Sequence, residues 1–181
     1  MSSTNKKISY RLEMTDRSQL QPKRVEIPQL ELHRIKRPSP AMNWFLHQSV
    51  GAAFRWGGRE DWDQQRWTQY VDRPELETWV AYVEGAPAGY FELEHQADTS
   101  IEIKCFGLLS DFFGQGLGGH LLTAAVNRAW DAGAKRVWLR TCSHDHAHAL
   151  SNYLHRGFRL VEQTIGPPNQ ARESALFRTF P

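Results

Sequence analysis

The sequence predicts a mixed α/β (α+β) fold, one sheet with helices on its faces. Three patterns carry that expectation. Apolar and polar residues alternate through three successive strands at 78–83, 88–94 and 100–106, as in an antiparallel meander. A glycine cluster at 114–119 then opens into a long amphipathic run at 118–132. Beyond it, strand and helix patterns alternate.

The elements follow in order. Residues 1–28 are polar and charged with little periodicity, and are expected as a loose N-terminal arm before a domain at 29–181. If ordered, the arm is expected against a partner subunit in a homodimer. A half-buried strand is expected at 30–35, stopped by Pro38 and Pro40. A helix at 41–54 would share an apolar face of Met42, Phe45, Val50 and Phe54. A second at 61–70 carries Trp62, Trp67 and Tyr70 and ends at Asp72-Arg73-Pro74. After the meander and the glycine turn, the helix at 118–132 turns Leu121, Leu122, Ala125, Val126 and Ala129 inward. Strands at 136–141, 159–163 and 173–179 and a short helix at 146–155 complete the chain.

Composition narrows the function. The 181 residues suit one domain with a core. A net charge of +2, with both signs interspersed, does not advertise nucleic acid. No run approaches the ~20 apolar residues of a membrane span, and the polar N-terminus does not look like a signal peptide, so a cytoplasmic protein is expected. Cys105 and Cys142 lie in strand-like runs and read as small buried hydrophobes. The segment His144-Asp145-His146-Ala147-His148 lacks the spacing and companions of a metal site, and no metal is expected. The plainer alternative for this segment is that Asp145 or Ser143 caps the following helix.

Glycines at a helix entrance bring backbone N–H groups together beside the positive end of the helix dipole, a cradle for phosphate or diphosphate. No lysine follows them as a P-loop requires. Gly114, Gly116 and Gly119 match the dinucleotide pattern G-x-G-x-x-G, but the strand lies mid-chain after a meander and the next ends at Arg140-Thr141-Cys142 without an acid. A nicotinamide-dependent oxidoreductase therefore stays as the weaker alternative.

Two motifs resemble the GNAT superfamily of acyl-CoA-dependent N-acetyltransferases. Gly116 and Gly118 fall on the small positions of its [Arg/Gln]-x-x-Gly-x-[Gly/Ala] signature, with Phe113 at the first position. Its Ala-x-x-x-Tyr-x-x-x-Gly-Phe motif matches Ala149 to Phe158, with His146 where an asparagine is usual. The resemblance implies a mostly antiparallel mixed sheet whose fourth and fifth strands (100–106 and 136–141) splay apart to admit acetyl-CoA. It places the cosubstrate on Leu108, Leu109, Gly114, Gln115, Gly116, Leu117, Gly118, Gly119, His146 and Tyr153. It makes the Leu108 N–H the oxyanion donor, Tyr153 the general acid and Glu102 the base; Glu92 and Glu94, which share a strand face, are read as reserve bases. For these residues the plainer readings are a tyrosine covering a helix end, a strand glutamate opposite Lys104, and a solvated sheet face. Trp44, Trp56, Trp62, Trp67 and Trp79 either wall an acceptor pocket or pack helices on the sheet; the turn at 55–59 is expected to touch substrate. The implied reaction is direct transfer of acetyl to a primary amine. A small amine is favoured over a peptide N-terminus or lysine, since no charge pattern marks a peptide groove. A non-catalytic acyl-CoA sensor is the other alternative, which Phe113 and His146 leave open.

Overall fold

Apolar runs, alternating in some strands and continuous in others, bury the sheet, and among the described residues seven strands join edge to edge. The computed structural model describes residues 6–51, 54, 56–167 and 180. Its elements are β1 (Lys7–Met14), β2 (Leu30–Arg34), α1 (Pro40–Gly51), α2 (Gln64–Val71), β3 (Leu76–Val83), β4 (Ala86–His95), β5 (Ser100–Leu108), α3 (Leu117–Asp131), β6 (Arg136–Cys142), α4 (Ala149–His155) and β7 (Arg159–Gly166). The sheet order is β2-β3-β4-β5-β6-β1-β7, and β5–β6 is parallel where the other pairings are antiparallel. The strand expected at 173–179 lies outside the described residues.

Helices cover both faces. On one, Leu121, Leu122, Ala125, Val126 and Ala129 of α3 meet Phe91, Leu93, Ile101, Ile103, Val137 and Leu139 from the sheet. On the other, Leu46 and Val50 of α1 meet Val80, Tyr90 and Cys105. The buried face of α1 is rotated from the expected one. It carries Asn43, Leu46, His47 and Val50, and Phe45 is exposed. The turn follows from Asn43, whose buried amide donates to Thr78 and Glu92 on the sheet. The helix α2 starts at Gln64, after Asp63, whose carboxylate caps it by accepting from the Arg66 N–H at 2.8 Å.

The expected loose arm is the main correction. In Lys7–Met14, Ile8, Tyr10, Leu12 and Met14 alternate with polar residues, and Leu12 and Met14 are fully buried. That pattern makes a strand, and β1 fills the sheet between β6 and β7. The next residues strap their own chain. Arg17 pairs with Asp131 at the end of α3, and the Gln21 N–H donates to the Arg156 carbonyl. The Lys23 N–H donates to Thr123 Oγ1. The strap passes so close to Gly157 that a Cβ there would lie 1.8 Å from the Gln19 carbonyl oxygen.

The sheet is split where β5 and β6 part. They pair only over Ser100–Ile103 and Arg136–Leu139. Lys104 is an extra residue in β5, since Glu92 faces Cys105 and Leu93 faces Ile103. A bulge of this kind bends its strand. Beyond it β5 follows β4 to Leu108, while β6 follows β1 to Cys142. The fork between them is the splay expected of the fourth and fifth strands.

Candidate active site

A cavity of about 1070 Å³ runs through the fork. At one end lie Gly114, Gly116, Gly118 and Gly119 with Lys23, Asn152 and Arg156. Gly114 and Gly116 both have φ near +77°, a left-handed conformation that lets the loop turn tightly into α3. No side chain caps α3, so its first N–H groups, which have no intrahelical acceptor, face the cavity end. Leu117 is buried in the core, and Gln115 folds back so that its amide donates to the Asp111 carbonyl. Lys23 and Arg156 crowd the loop: a Cβ on Gly119 would meet them at 2.7 and 2.8 Å, and one on Gly116 would lie 3.5 Å from Lys23 Nζ. Lys23 was hidden to sequence reasoning because it belongs to the strap. At the signature's first position Phe113 joins Phe54 and His146 in an aromatic cluster, with its ring 5.2 Å from the imidazole.

At the fork, Leu108 presents its backbone. The Leu109 N–H donates to the Ala88 carbonyl on β4 at 2.9 Å. Successive N–H groups of a strand point to opposite sides, so the Leu108 N–H points into the fork that β6 has left. Tyr153 of α4 lines the cavity, held against Phe106 and Phe158. Burial, and then the Asp145 carboxylate, raise its phenol well above the usual range. The alternative reading of Asp145 as a helix cap does not hold. Asp145 closes the end of β6, accepting from the Thr141 hydroxyl and the Cys142 N–H, and His148 stands at the start of α4. Cys105 also lines the cavity, but burial pushes its thiol up to about 12, which disfavours the thiolate.

The α1 side of the cavity has a polar floor. Glu92 is fully buried. It accepts from both Arg59 guanidinium nitrogens (3.0 and 3.4 Å), the Tyr70 hydroxyl (2.6 Å) and Asn43 (2.9 Å). Arg59 in turn lies over the rings of Tyr70, Trp62 and Trp67 at 4.2, 5.2 and 5.5 Å. Burial would raise the Glu92 carboxyl, but Arg59, Tyr70 and Asn43 hold it down at about 2. Glu94 is also lowered, by Lys104 and Arg73 against the opposing effect of burial. Both reserve carboxylates are therefore poor proton acceptors. Glu102 stands beside the fork, 5% exposed, with Lys104 Nζ at 3.3 Å and Arg140 Nε at 3.9 Å; those two cations, rather than Glu102 itself, line the cavity. Of the five tryptophans in the first half of the chain, Trp56 lines the cavity. Trp67 is core, Trp79 stacks on Phe91, and Trp44 meets Phe180. From the turn expected to touch substrate, Trp56, Gly57 and Arg59 reach the wall, and residue 55 lies outside the described residues. Among the described residues no three metal-binding side chains converge, and no helix is long and apolar enough to cross a membrane.

A sequence profile described as the acetyltransferase (GNAT) family matches residues 41–158, well over half of the chain. Among curated proteins none matches significantly. Solved structures of similar fold include a GCN5-related N-acetyltransferase from Sphaerobacter thermophilus, with a TM-score of 0.63 and 16% identity over 88% of this chain and 50% of that one. Another, from Kribbella flavida, gives 0.63 and 17% over 90% and 58%. An aminoglycoside acetyltransferase from an uncultured soil metagenomic sample gives 0.62 and 18% over 79% and 97%. The chain thus spans little more than half of the two GCN5-related proteins and nearly all of the third.

Proposed function

We propose, from the premise that this chain belongs to the GNAT acetyltransferase family, that it transfers acetyl from acetyl-CoA to a primary amine by direct attack. The fork carries this reading: a strand opened by a bulge, with one backbone donor aimed into the gap and a glycine-lined helix start at the gap's end. Family membership supports acyl transfer; the cosubstrate and the amine are our own reading.

The residues present fit the cosubstrate. The diphosphate rests on the N–H groups at 114–119, where the helix dipole favours negative charge, with Lys23 and Arg156 supplying the cations that Phe113 does not. The pantetheine arm takes the place of the strand missing from the fork. It runs past Leu109 and His146, and the thioester oxygen is held by the Leu108 N–H. The amine nitrogen attacks the thioester carbon, a C–N bond forms, and negative charge gathers on that oxygen. A positioned donor of this kind lowers the barrier by roughly 3–4 kcal/mol. The C–S bond then breaks. Before attack, Glu102 takes one proton from the incoming ammonium through water; Tyr153, kept protonated by its surroundings, gives its proton to the leaving thiolate, and the phenolate so formed takes the second proton from the new amide nitrogen. Buried Cys105, with its thiolate disfavoured, is a poor foothold for an acyl-enzyme.

An amine panel with acetyl-CoA and thiol detection tests the reading. Tyr153→Phe and Glu102→Gln should each lower kcat about 10²–10⁴-fold, the usual worth of a positioned acid or base, with acetyl-CoA still bound. If acetyl-CoA binds and no amine is acetylated, the chain is an acyl-CoA sensor. Stabilisation by NADH and not by acetyl-CoA would overturn both.

A further inference from the structure

This inference rests on the acyl-transfer reading and concerns what the acceptor must carry besides its amine. Ile103 and Leu139 are the last paired residues of β5 and β6, so Lys104 and Arg140 are the first residues past the split. Both line the cavity, one on each arm of the fork. Their surroundings differ. Lys104 is held by Glu94 at 2.8 Å and by Glu102 at 3.3 Å. Arg140 has a side chain 70% exposed, and Glu102 reaches it only at 3.9 Å, beyond hydrogen-bond distance. Its guanidinium lies 5.0 Å from the Trp138 ring centroid, a contact that props the head group without using its in-plane donors. Neighbouring arginines of this side are matched: Arg59 by Glu92 and Arg11 by Glu162, at 3.0 and 3.2 Å. Arg140 is left with a planar fork of N–H donors facing the cavity beside the point of transfer. That fork fits an oxyanion with two oxygens to share.

We propose that the acceptor is an amine that also bears an oxyanion, a carboxylate or a phosphate, and that Arg140 is the residue that grips it. The oxyanion takes no part in the bond changes. It anchors the acceptor, so its contribution appears in KM. A polycationic amine would instead meet Lys104 and Arg140 at the fork, where like charge repels it.

The experiment compares kcat/KM for matched pairs with acetyl-CoA: amino acids against their carboxamides, O-phosphoethanolamine against ethanolamine, and spermidine as the polycation. A charge-assisted pair of hydrogen bonds predicts at least a ten-fold preference for the oxyanion-bearing member, mostly in KM. The carboxylate and phosphate pairs tell the two oxyanions apart. In Arg140→Gln the preference should fall to within about two-fold, and Arg140→Lys should keep part of it; a merely structural role would leave that ratio untouched. Equal use of both members, a preference for spermidine, or an unchanged ratio in Arg140→Gln overturns the proposal, as does acetyl-CoA binding with no oxyanion-bearing amine acetylated. Failure to bind acetyl-CoA at all would strike the underlying acyl-transfer reading instead.

Discussion

Replacing Glu92 with glutamine should destabilise the protein far more than the loss of one hydrogen bond. The carboxylate is fully buried and takes four hydrogen bonds from Arg59, Tyr70 and Asn43. Glutamine fits the space but leaves the Arg59 guanidinium, itself 8% exposed, as an uncompensated charge. Breaking one side of such a pair costs about 3–5 kcal/mol. For a domain of this size each kcal/mol is worth about 2–4 °C, so the melting temperature should fall by about 10 °C. Urea and thermal melts at pH 7 measure it, and the m-value should hold if only stability has changed. The double variant Arg59→Met/Glu92→Met removes both charges from a cage of aromatic rings and should recover most of the loss, since apolar replacement of a buried pair is often neutral or better. A cost below about 1 kcal/mol for Glu92→Gln, or a double variant no better than the single one, would refute the claim that this floor is held by charge.

Acid should unfold the protein early. Burial, and then the Arg59 charge, lower the His47 imidazole from 6.5 to about 4, so between those values the unfolded chain binds a proton that the folded one refuses. Stability should therefore fall by about 3 kcal/mol as pH drops through that window, and Glu92, lowered to about 2, extends the loss below pH 4.5. His47 Nδ1 has no partner among the described residues, so His47→Phe should flatten the upper part of the slope; chemical denaturation against pH checks this. Gly157→Ala should cost about 2–4 kcal/mol in the same melts, because φ is +98° and the new Cβ would strike the Gln19 carbonyl of the strap. Lys23→Gln should weaken acetyl-CoA about ten- to hundred-fold in calorimetry with little change in melting temperature, since Lys23 is exposed and its proposed role is charge at the glycine loop.

Legibility followed the range of the interactions. The meander, the long helix and the glycine turn were readable because their signals are local: period two, period 3.6, and residues free to adopt positive φ. The tyrosine at 153 and the signature glycines at 116 and 118 came with the resemblance to the family's two motifs. The strand at 7–14 was equally periodic, but charged residues on its open face masked the alternation. Its place between β6 and β7 is a long-range fact that no local pattern carries. Lys23 reaches the glycine loop only because that strand and strap bring it there. The Glu92–Arg59–Tyr70 floor joins three separate elements, so in sequence Glu92 looked like any glutamate on a solvated sheet face. Phe45 was misplaced for a related reason: the buried Asn43 amide, serving Glu92, outweighs the phenyl ring in setting the face of α1.

The central claim is that backbone N–H groups at 114–119 hold the diphosphate of acetyl-CoA while its thioester lies in the fork. A crystal structure of the complex tests it most directly. The account predicts diphosphate oxygens within hydrogen-bond distance of those N–H groups, Lys23 and Arg156 beside them, and the thioester oxygen on the Leu108 N–H. A cosubstrate seated elsewhere, with β5 and β6 zipped together beyond Ile103 and Leu139, would contradict it.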